Sequence, residues 1–225
     1  MILRFLGQSG FELTSGRSRI LIDPYFSDIV GKLQGRPRLL PIPKYQQQYD
    51  GIFCTHNHLD HLDPETVVLF PKEQKFITTA DGVQALQKLG MNNASIIADG
   101  QSIVCGEFSV TAVPAFHSAE AVGLIVKAEG ITLYFSGDTL YDERLFAISG
   151  YAPDITFICI NGRLGNMNTQ EALQVAAAIG APVNIPHHYD MFASNSADPY
   201  AFADHIPGGK VLAFDTPYEV HELLR

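Results

Sequence analysis

The sequence predicts an α/β protein made of two sheets covered by helices. The first quarter reads as short strands joined by tight turns. The remainder alternates strand-like and helix-like segments, and no internal repeat or low-complexity tract interrupts either pattern. Leu3–Leu6, Gly10–Thr14 and Arg19–Asp23 alternate or run apolar, and Ser15-Gly16 supplies the hairpin turn between the second and third. Residues 27–49 have no clear period and carry three prolines with Lys32, Arg36, Arg38 and Lys44. That stretch reads first as a solvated basic loop and second as a functional or partner-contacting one. Ile52–Cys54 is a strand, and Asp63-Pro64-Glu65 opens a helix with an N-cap and a proline at the first helical position. Phe76–Thr78 follows as a strand, then Asp81-Gly-Val-Gln84 opens a helix that Gly90 closes. Ser95–Ala98, Ser102–Cys105 and Phe108–Val113 read as strands, and Gly123–Ala128 pairs with Ile131–Phe135 across Glu129-Gly130. Ile155–Ile160 is a fully apolar strand. Asn168-Thr-Gln-Glu171 is a capping box for a helix ending at Gly180. Val183–Ile185 is a strand, Asp198-Pro199 caps a last helix, and Val211–Phe214 is the final strand.

Composition narrows the function classes. A chain of 225 residues fits one domain, 1–225, large enough to bury roughly 70% of its unfolded surface without a disulfide or structural metal. Hydrophobic residues make up 46% and charged ones 17%, too apolar for a disordered chain. A formal net charge of −9 argues against a nucleic-acid binder, which presents a basic face, yet leaves room for a local basic pocket. Met1–Gly7 lacks a basic segment followed by an apolar one, and the apolar stretch Val175–Val183 is too short to span a bilayer. Cys54, Cys105 and Cys159 are unclustered and sit in apolar runs, so they read as reduced core residues. The expectation is a cytoplasmic protein with no membrane and no nucleic-acid partner. A homo-oligomer is left open.

Three of the eight histidines fall within Thr55-His56-Asn57-His58-Leu59-Asp60-His61. This cluster follows an apolar strand and precedes the Asp63 cap, so it occupies a loop at the carboxyl end of a strand, where α/β sheets place their sites. His56 and His58, two residues apart in extended chain, can aim at one ion, and Asp60 and His61, beyond the turn, can reach a second. Other candidates also follow strands: His117 past Val110–Pro114, Asp138 past Thr132–Phe135 with Gly137 permitting a sharp turn, and His188 past Val183–Ile185. His205 and His221 have no partner motif and read as structural.

These residues resemble the metallo-β-lactamase superfamily. The resemblance is closest to its L-ascorbate-6-phosphate lactonase-like metal-dependent hydrolases. It is carried by Phe5–Phe11, Ile20–Tyr25, Thr55–Asp63, Phe116–Ser118, Tyr134–Thr139, Ile160–Arg163 and Pro186–Phe192. The resemblance implies an αββα four-layer sandwich with metals at one edge, between the sheets. It puts His56, His58 and His117 on one ion, Asp60, His61 and His188 on another, and Asp138 between them. His188 rather than His187 fits the family's Pro-x-His spacing, since adjacent strand residues face opposite ways. Gln8 stands where many members have histidine, and the chain is shorter than the lactonases.

Imidazoles and carboxylates without a thiolate suit two divalent ions, Zn²⁺ or Mn²⁺ first and Fe as the alternative. Cys54 has the strand parity to approach the site but reads as core. Two ions sharing Asp138 would hold a bridging hydroxide that attacks a lactone or ester of a small anionic, sugar-derived metabolite. Asp60 and Asp138 are the expected catalytic carboxylates. Asn161 and Arg163, in the loop before the Asn168 helix, are expected to bind a substrate phosphate or carboxylate. Tyr189 and Asn195, with Met191 and Phe192, are expected at the pocket mouth. Competing readings on the same ligands are a phosphodiesterase or nuclease, an iron-bound oxidoreductase, and a non-catalytic metal-binding module.

Overall fold

Two twisted sheets pack face to face in the computed structural model, which describes residues 1–225. The first is assembled from β1 (Ile2–Gly7), β2 (Gly10–Ser15), β3 (Ser18–Ile22), β4 (Gly51–Cys54), β5 (Phe76–Thr78), β6 (Ala94–Ile96) and, from the far end of the chain, β13 (Pro217–Glu219). Its order is β13-β1-β2-β3-β4-β5-β6. The second runs β12-β11-β10-β9-β8-β7, from β7 (Ser102–Cys105), β8 (Phe108–Pro114), β9 (Val122–Ala128), β10 (Ile131–Phe135), β11 (Ile155–Cys159) and β12 (Val183–His187). In both sheets antiparallel hairpins give way to parallel strands: β3 to β6 in the first, β10 to β12 in the second. Parallel strands need covering on both faces, and the helices α1 (Ile29–Gln34), α2 (Pro64–Val67), α3 (Ala80–Lys88), α4 (Thr169–Ile179), α5 (Tyr200–Ala203) and α6 (Val220–Leu223) supply the outer layers. The mixed α/β class and the two-sheet architecture read from the sequence are those observed.

The inner faces of the sheets share one core. Phe11 of β2 sits edge-on to Phe157 of β11 and tilted against Phe135 of β10, at ring-centroid distances of 4.9 and 5.0 Å, while Phe135 and Phe157 stack at 4.3 Å. All three are buried. A second cluster, around Leu21, Ile52, Phe70 and Phe76, glues α2 and α3 to the outer face of the first sheet.

Most element boundaries agree with the sequence reading to within two residues, and the exceptions have physical causes. The expected strand Val211–Phe214 makes only a single bridge, Phe5 to Phe214. The backbone N–H of Ala213 is taken by the Tyr218 hydroxyl, and the chain turns at Asp215, so the strand that pairs with β1 is Pro217–Glu219. The helix expected to open at Asp81 is capped by Thr79, whose hydroxyl accepts from the Gly82 N–H. The helix Asp198-Pro199 opens is not the last, since α6 follows it. A nine-residue 3₁₀ helix, Glu143–Tyr151, was not anticipated.

The segment 27–49 is not the solvated loop expected first. Ile29 and Val30 of α1 bury against Tyr25, Met191 and Phe192. The Arg38 guanidinium then ties the chain down by donating to the carbonyls of Leu40, Tyr25, Ser27 and Pro41. Leu39 N–H donates to the Met191 carbonyl at 2.8 Å, so the segment is docked on the loop that follows β12.

Because Phe11 joins both sheets, Phe11→Ala should lower unfolding free energy by about 3–5 kcal/mol, the range for truncating a buried aromatic. A loss of unfolding free energy below about 1 kcal/mol in chemical denaturation would show that the sheets are not joined through this ring.

Candidate metal centre

Four strands that end at one edge of the two sheets lead into segments that deliver polar residues to one place. The loop 55–61 leaves β4, His117 follows β8, Asp138 follows β10, and His188 follows β12. Asp138 is delivered by a turn at Gly137 (φ +58°). There an added Cβ would lie 3.1 Å from both Thr55 Cβ and the Val122 carbonyl, so glycine is required.

Seven side chains meet there. His56 Nε2 and His117 Nε2 lie 2.9 and 3.1 Å from the same atom, Nδ1 of His58. His61 Nε2 is 3.7 Å from Asp60 Oδ2 and 3.3 Å from Asp138 Oδ1. His188 Nε2 is 3.5 Å from Asp60 Oδ2 and 3.3 Å from Asp138 Oδ2, the oxygen that also lies 3.9 Å from His117 Nε2. The donor atoms form three tight groups: His56, His58 and His117; His56, His61 and Asp138; Asp60, His61 and His188. Asp138 thus stands between the two halves of the cluster.

The surroundings explain the geometry. His117 Nδ1 donates to the Gly165 carbonyl at 2.9 Å, leaving Nε2 as the lone pair facing His58. Asp23, buried at the end of β3 with φ +43°, accepts from the Thr55 N–H and the Thr55 hydroxyl, and its Oδ2 receives His61 Nδ1 at 2.8 Å. Gln8 donates its amide to Asp60 Oδ2 at 2.7 Å, and its backbone carbonyl accepts from the His188 N–H. Gln8, Asp23 and His188 are all non-glycine residues in the left-handed region (φ +56°, +43°, +64°), the kind of strain that concentrates at functional sites. Sequence reasoning assigned no role to Asp23. Its signal was an Asp-Pro pair directly after an apolar strand.

Electrostatics follow from burial against charge. Burial drives the His56 and His58 imidazoles below their ordinary pKa, with neighbouring histidines adding to the effect. Burial opposes charge at His61 and His188 too, but the carboxylates overcome it. Asp138, Asp23 and Asp60 raise His61 well above the ordinary range, and Asp138 with Asp60 lifts His188 to about 9. Those two imidazolium partners hold Asp60 and Asp138 below the usual carboxylate range despite their burial.

The donor set fits metal ions. One proton on His58 Nδ1 cannot satisfy two imidazole lone pairs at about 3 Å, whereas a cation among the three rings satisfies all of them. His61 Nε2 and Asp138 Oδ1 are buried without a hydrogen-bond partner, which is costly unless an ion lies between them.

The structure separates the two adjacent histidines. His188 faces the cluster. His187, on the opposite side of the strand, lies between Ser9 (Nδ1, 3.0 Å) and Ser136 (Nε2, 3.1 Å), and burial pushes it down to about 3. Cys54 packs in the second core cluster, away from the donors, with its thiol pushed up by burial.

The expected substrate residues divide. Asn195 lines a cleft of about 540 Å³ whose floor includes His58, Asp60, Asp138 and His188. Asn161 is buried behind it: its amide donates to Asn195 Oδ1 at 2.8 Å and its carbonyl accepts from Asn166, so it orients Asn195 rather than facing the cleft. Tyr189 is buried against Phe5, its hydroxyl turned into the core. Arg163 lies outside the lining, exposed, donating to the Ser194 carbonyl. The arginine that lines the cleft is Arg36, from the segment 27–49.

Replacing Asp23 by asparagine keeps its volume but removes the charge that orients His61. Asp23→Asn should weaken divalent-ion affinity by roughly 10-fold to 100-fold with the fold retained, as metal sites respond to loss of an orienting carboxylate. Unchanged affinity by calorimetric titration would show that His61 needs no such support.

Comparisons with known proteins agree with this arrangement. Residues 18–189 match the family model described as beta-lactamase superfamily domain. A UPF0173 metal-dependent hydrolase from Methanosphaerula palustris is 33% identical over 208 residues, covering 86% of each chain. Among solved structures, Igni18, a metallo hydrolase from Ignicoccus hospitalis, superposes with a TM-score of 0.77 at 23% identity, covering 97% of this chain and 98% of its own. The isothiocyanate hydrolase from Delia radicum gut bacteria gives 0.80 at 17% identity over 97% and 98%. The two distant structures speak for the fold, while the family match and the 33% relative speak for descent. This chain belongs to the beta-lactamase superfamily and has the metallo-β-lactamase fold.

Proposed function

We propose that this protein hydrolyses a lactone or related ester of a small anionic, sugar-derived metabolite at a site for two divalent ions. The observation that carries the reading is the doubled donor set with Asp138 within reach of both halves. His56, His58 and His117 would hold one ion, Asp60, His61 and His188 the other, and Asp138 would be shared. Nitrogen and oxygen donors without thiolate favour Zn²⁺ or Mn²⁺, with Fe as the alternative. The description of the curated relatives as metal-dependent hydrolases supports the reaction class.

Two such ions, when bound, supply Lewis acidity and lower the pKa of water toward neutrality. The chain's own residues do the rest. Asp60 is the more open carboxylate of the floor, its side chain 18% exposed against 6% for Asp138, so it is placed to take the proton of the attacking water. The Gln8 amide fixes the orientation of Asp60. Asn195, with its oxygen engaged by Asn161, keeps its Nδ2 as a donor for a substrate oxygen in the cleft. No helix is long and apolar enough to cross a membrane.

Purified protein saturated with metal should contain about two ions per chain, and a panel of lactones should show turnover beyond that of phosphodiesters. His58→Ala and Asp138→Ala should each abolish turnover with an unchanged circular dichroism spectrum. A stoichiometry of one ion, or salt-sensitive cleavage of RNA without lactone turnover, would overturn the reading.

Metal loading should also release protons. The neighbouring carboxylates raise His188 to about 9 and hold His61 well above its ordinary value, so both favour the charged form in the metal-free protein, whereas a metal ligand must be neutral. Apparent affinity should therefore climb as pH rises toward 9 and fall as it drops. Calorimetry in buffers of different ionisation enthalpy counts the protons, and a count of zero at pH 7 would contradict the ligand assignment of both histidines.

A further inference from the structure

Beside its histidines, the cleft above the donor cluster has one arginine and no lysine in its lining, and the situation of that arginine differs from that of the basic residues around it. Lys32, four residues earlier, is paired with Glu65 at 2.7 Å. Arg38, two residues later, spends its guanidinium on four backbone carbonyls. Arg163 is engaged with Ser194. Arg36 is half-buried, lines the cleft beside the donor residues, and has no hydrogen-bond or ion-pair partner in the chain. Its neighbours hold it there: Gly35, at φ +67°, ends α1, the Arg38 N–H donates to the Asp28 carboxylate, and the Leu39 N–H donates to the Met191 carbonyl in the loop after β12. A guanidinium kept at a cleft edge by a pinned backbone, with five donors unspent, is prepared for a planar oxoanion.

The lining also carries apolar side chains, among them Val30, Leu59 and Leu164. Leu164, 59% exposed, is held at φ +56°, a conformation unusual for leucine, and lies in the cleft lining with Phe192. The same loop supplies the Gly165 carbonyl that orients His117, so its position is coupled to the donor cluster. The cleft volume of about 540 Å³ suits a single small metabolite rather than a polymer.

We infer that Arg36 is the anion anchor of the substrate site. It binds a carboxylate or phosphate group remote from the scissile bond, while the exposed Leu164 takes the less polar side of the same molecule. This rests on the proposed function, in that the reacting bond is placed over the Asp60 and Asp138 floor. Arg36 is a specificity residue, and its contact should orient the substrate and so appear in kcat as well as KM. The role moves the anion contact from Arg163, where the sequence put it, to the segment 27–49.

The test compares matched probes on metal-saturated protein. For turnover the probes are 5-oxotetrahydrofuran-2-carboxylate, its neutral methyl ester, and the analogous lactone carrying a phosphate on a hydroxymethyl arm. For binding without turnover they are glutarate and butyrate, which differ by the second carboxylate. Wild type should favour the charged lactones over the methyl ester and glutarate over butyrate. Arg36→Ala should reduce both preferences by roughly 10-fold to 100-fold, the scale of a charged hydrogen bond, with little effect on the methyl ester or butyrate. Arg36→Lys should restore part of the preference, since it keeps the charge but not the planar fork. Which charged lactone loses more tells carboxylate from phosphate. Equal losses on charged and neutral probes would overturn the inference, as would retention of both preferences in Arg36→Ala or their loss in Arg163→Ala instead. If wild type turns over no lactone, the hydrolase reading fails on its own, and the glutarate-to-butyrate ratio still decides Arg36.

Discussion

The Asp23 carboxylate organises the site more than any ligand does. It is 1% exposed at the end of a parallel strand, and it accepts from both the backbone and the hydroxyl of Thr55 and from His61. Those three hydrogen bonds fix where the 55–61 loop starts and which nitrogen of His61 is free. A charge buried this deeply is tolerable only when it is fully partnered, so the loop that carries four ligand candidates is locked to the sheet by the same interaction that stabilises Asp23. Gln8 plays the corresponding part for Asp60, and the Gly165 carbonyl for His117. The donors come from the segments after four strands, and His61, Asp60 and His117 are each aimed by a contact from elsewhere in the chain.

The two sheets are bonded through polar as well as apolar contacts near this edge. His187 connects Ser9, in the turn between β1 and β2, to Ser136, at the end of β10, while its neighbour His188 turns to the donor cluster. β12 ends at His187, and the left-handed backbone of His188 (φ +64°) turns the next side chain to the site, so one histidine pair serves the interior on one side and the donor cluster on the other. Beneath them lies the aromatic group of Phe11, Phe135 and Phe157. A rigid core directly under the donors keeps seven side chains within a few ångströms without a flexible loop to absorb error.

Charge is distributed against the trend of the chain. The whole molecule carries −9, yet two divalent ions would bring +4 against the −2 of Asp60 and Asp138, and Arg36 adds a further positive charge at the rim. With both proposed ions bound, such a cleft would attract small anions while the acidic surface around it would repel polyanions, as the proposed function requires.

Much of this protein was legible in local sequence, because the signals are local. Strand alternation, the Asn168 capping box and the Glu129-Gly130 turn are set by residues within a few positions of each other, and the structure shows the elements they announced. The 55–61 cluster declared its chemistry through spacing alone. Apart from the cap at Thr79 and the 3₁₀ helix Glu143–Tyr151, the failures are long-range. Val211–Phe214 has a strand's alternation but loses its pairing to a turn at Asp215 and to Tyr218. Arg163 and Arg36 look equally suited to an anion as sequence. Only the docking of residues 27–49 on the loop after β12 brings Arg36 to the cleft, while Arg163 turns outward to Ser194. Asp23 lies 38 residues from the histidine it orients. Residue type and short spacing determined which atoms can bind and what elements carry them. Which distant side chains share a cavity was decided by how the two sheets close on each other, because burial and hydrogen-bond satisfaction are properties of the assembled core and not of any segment in it.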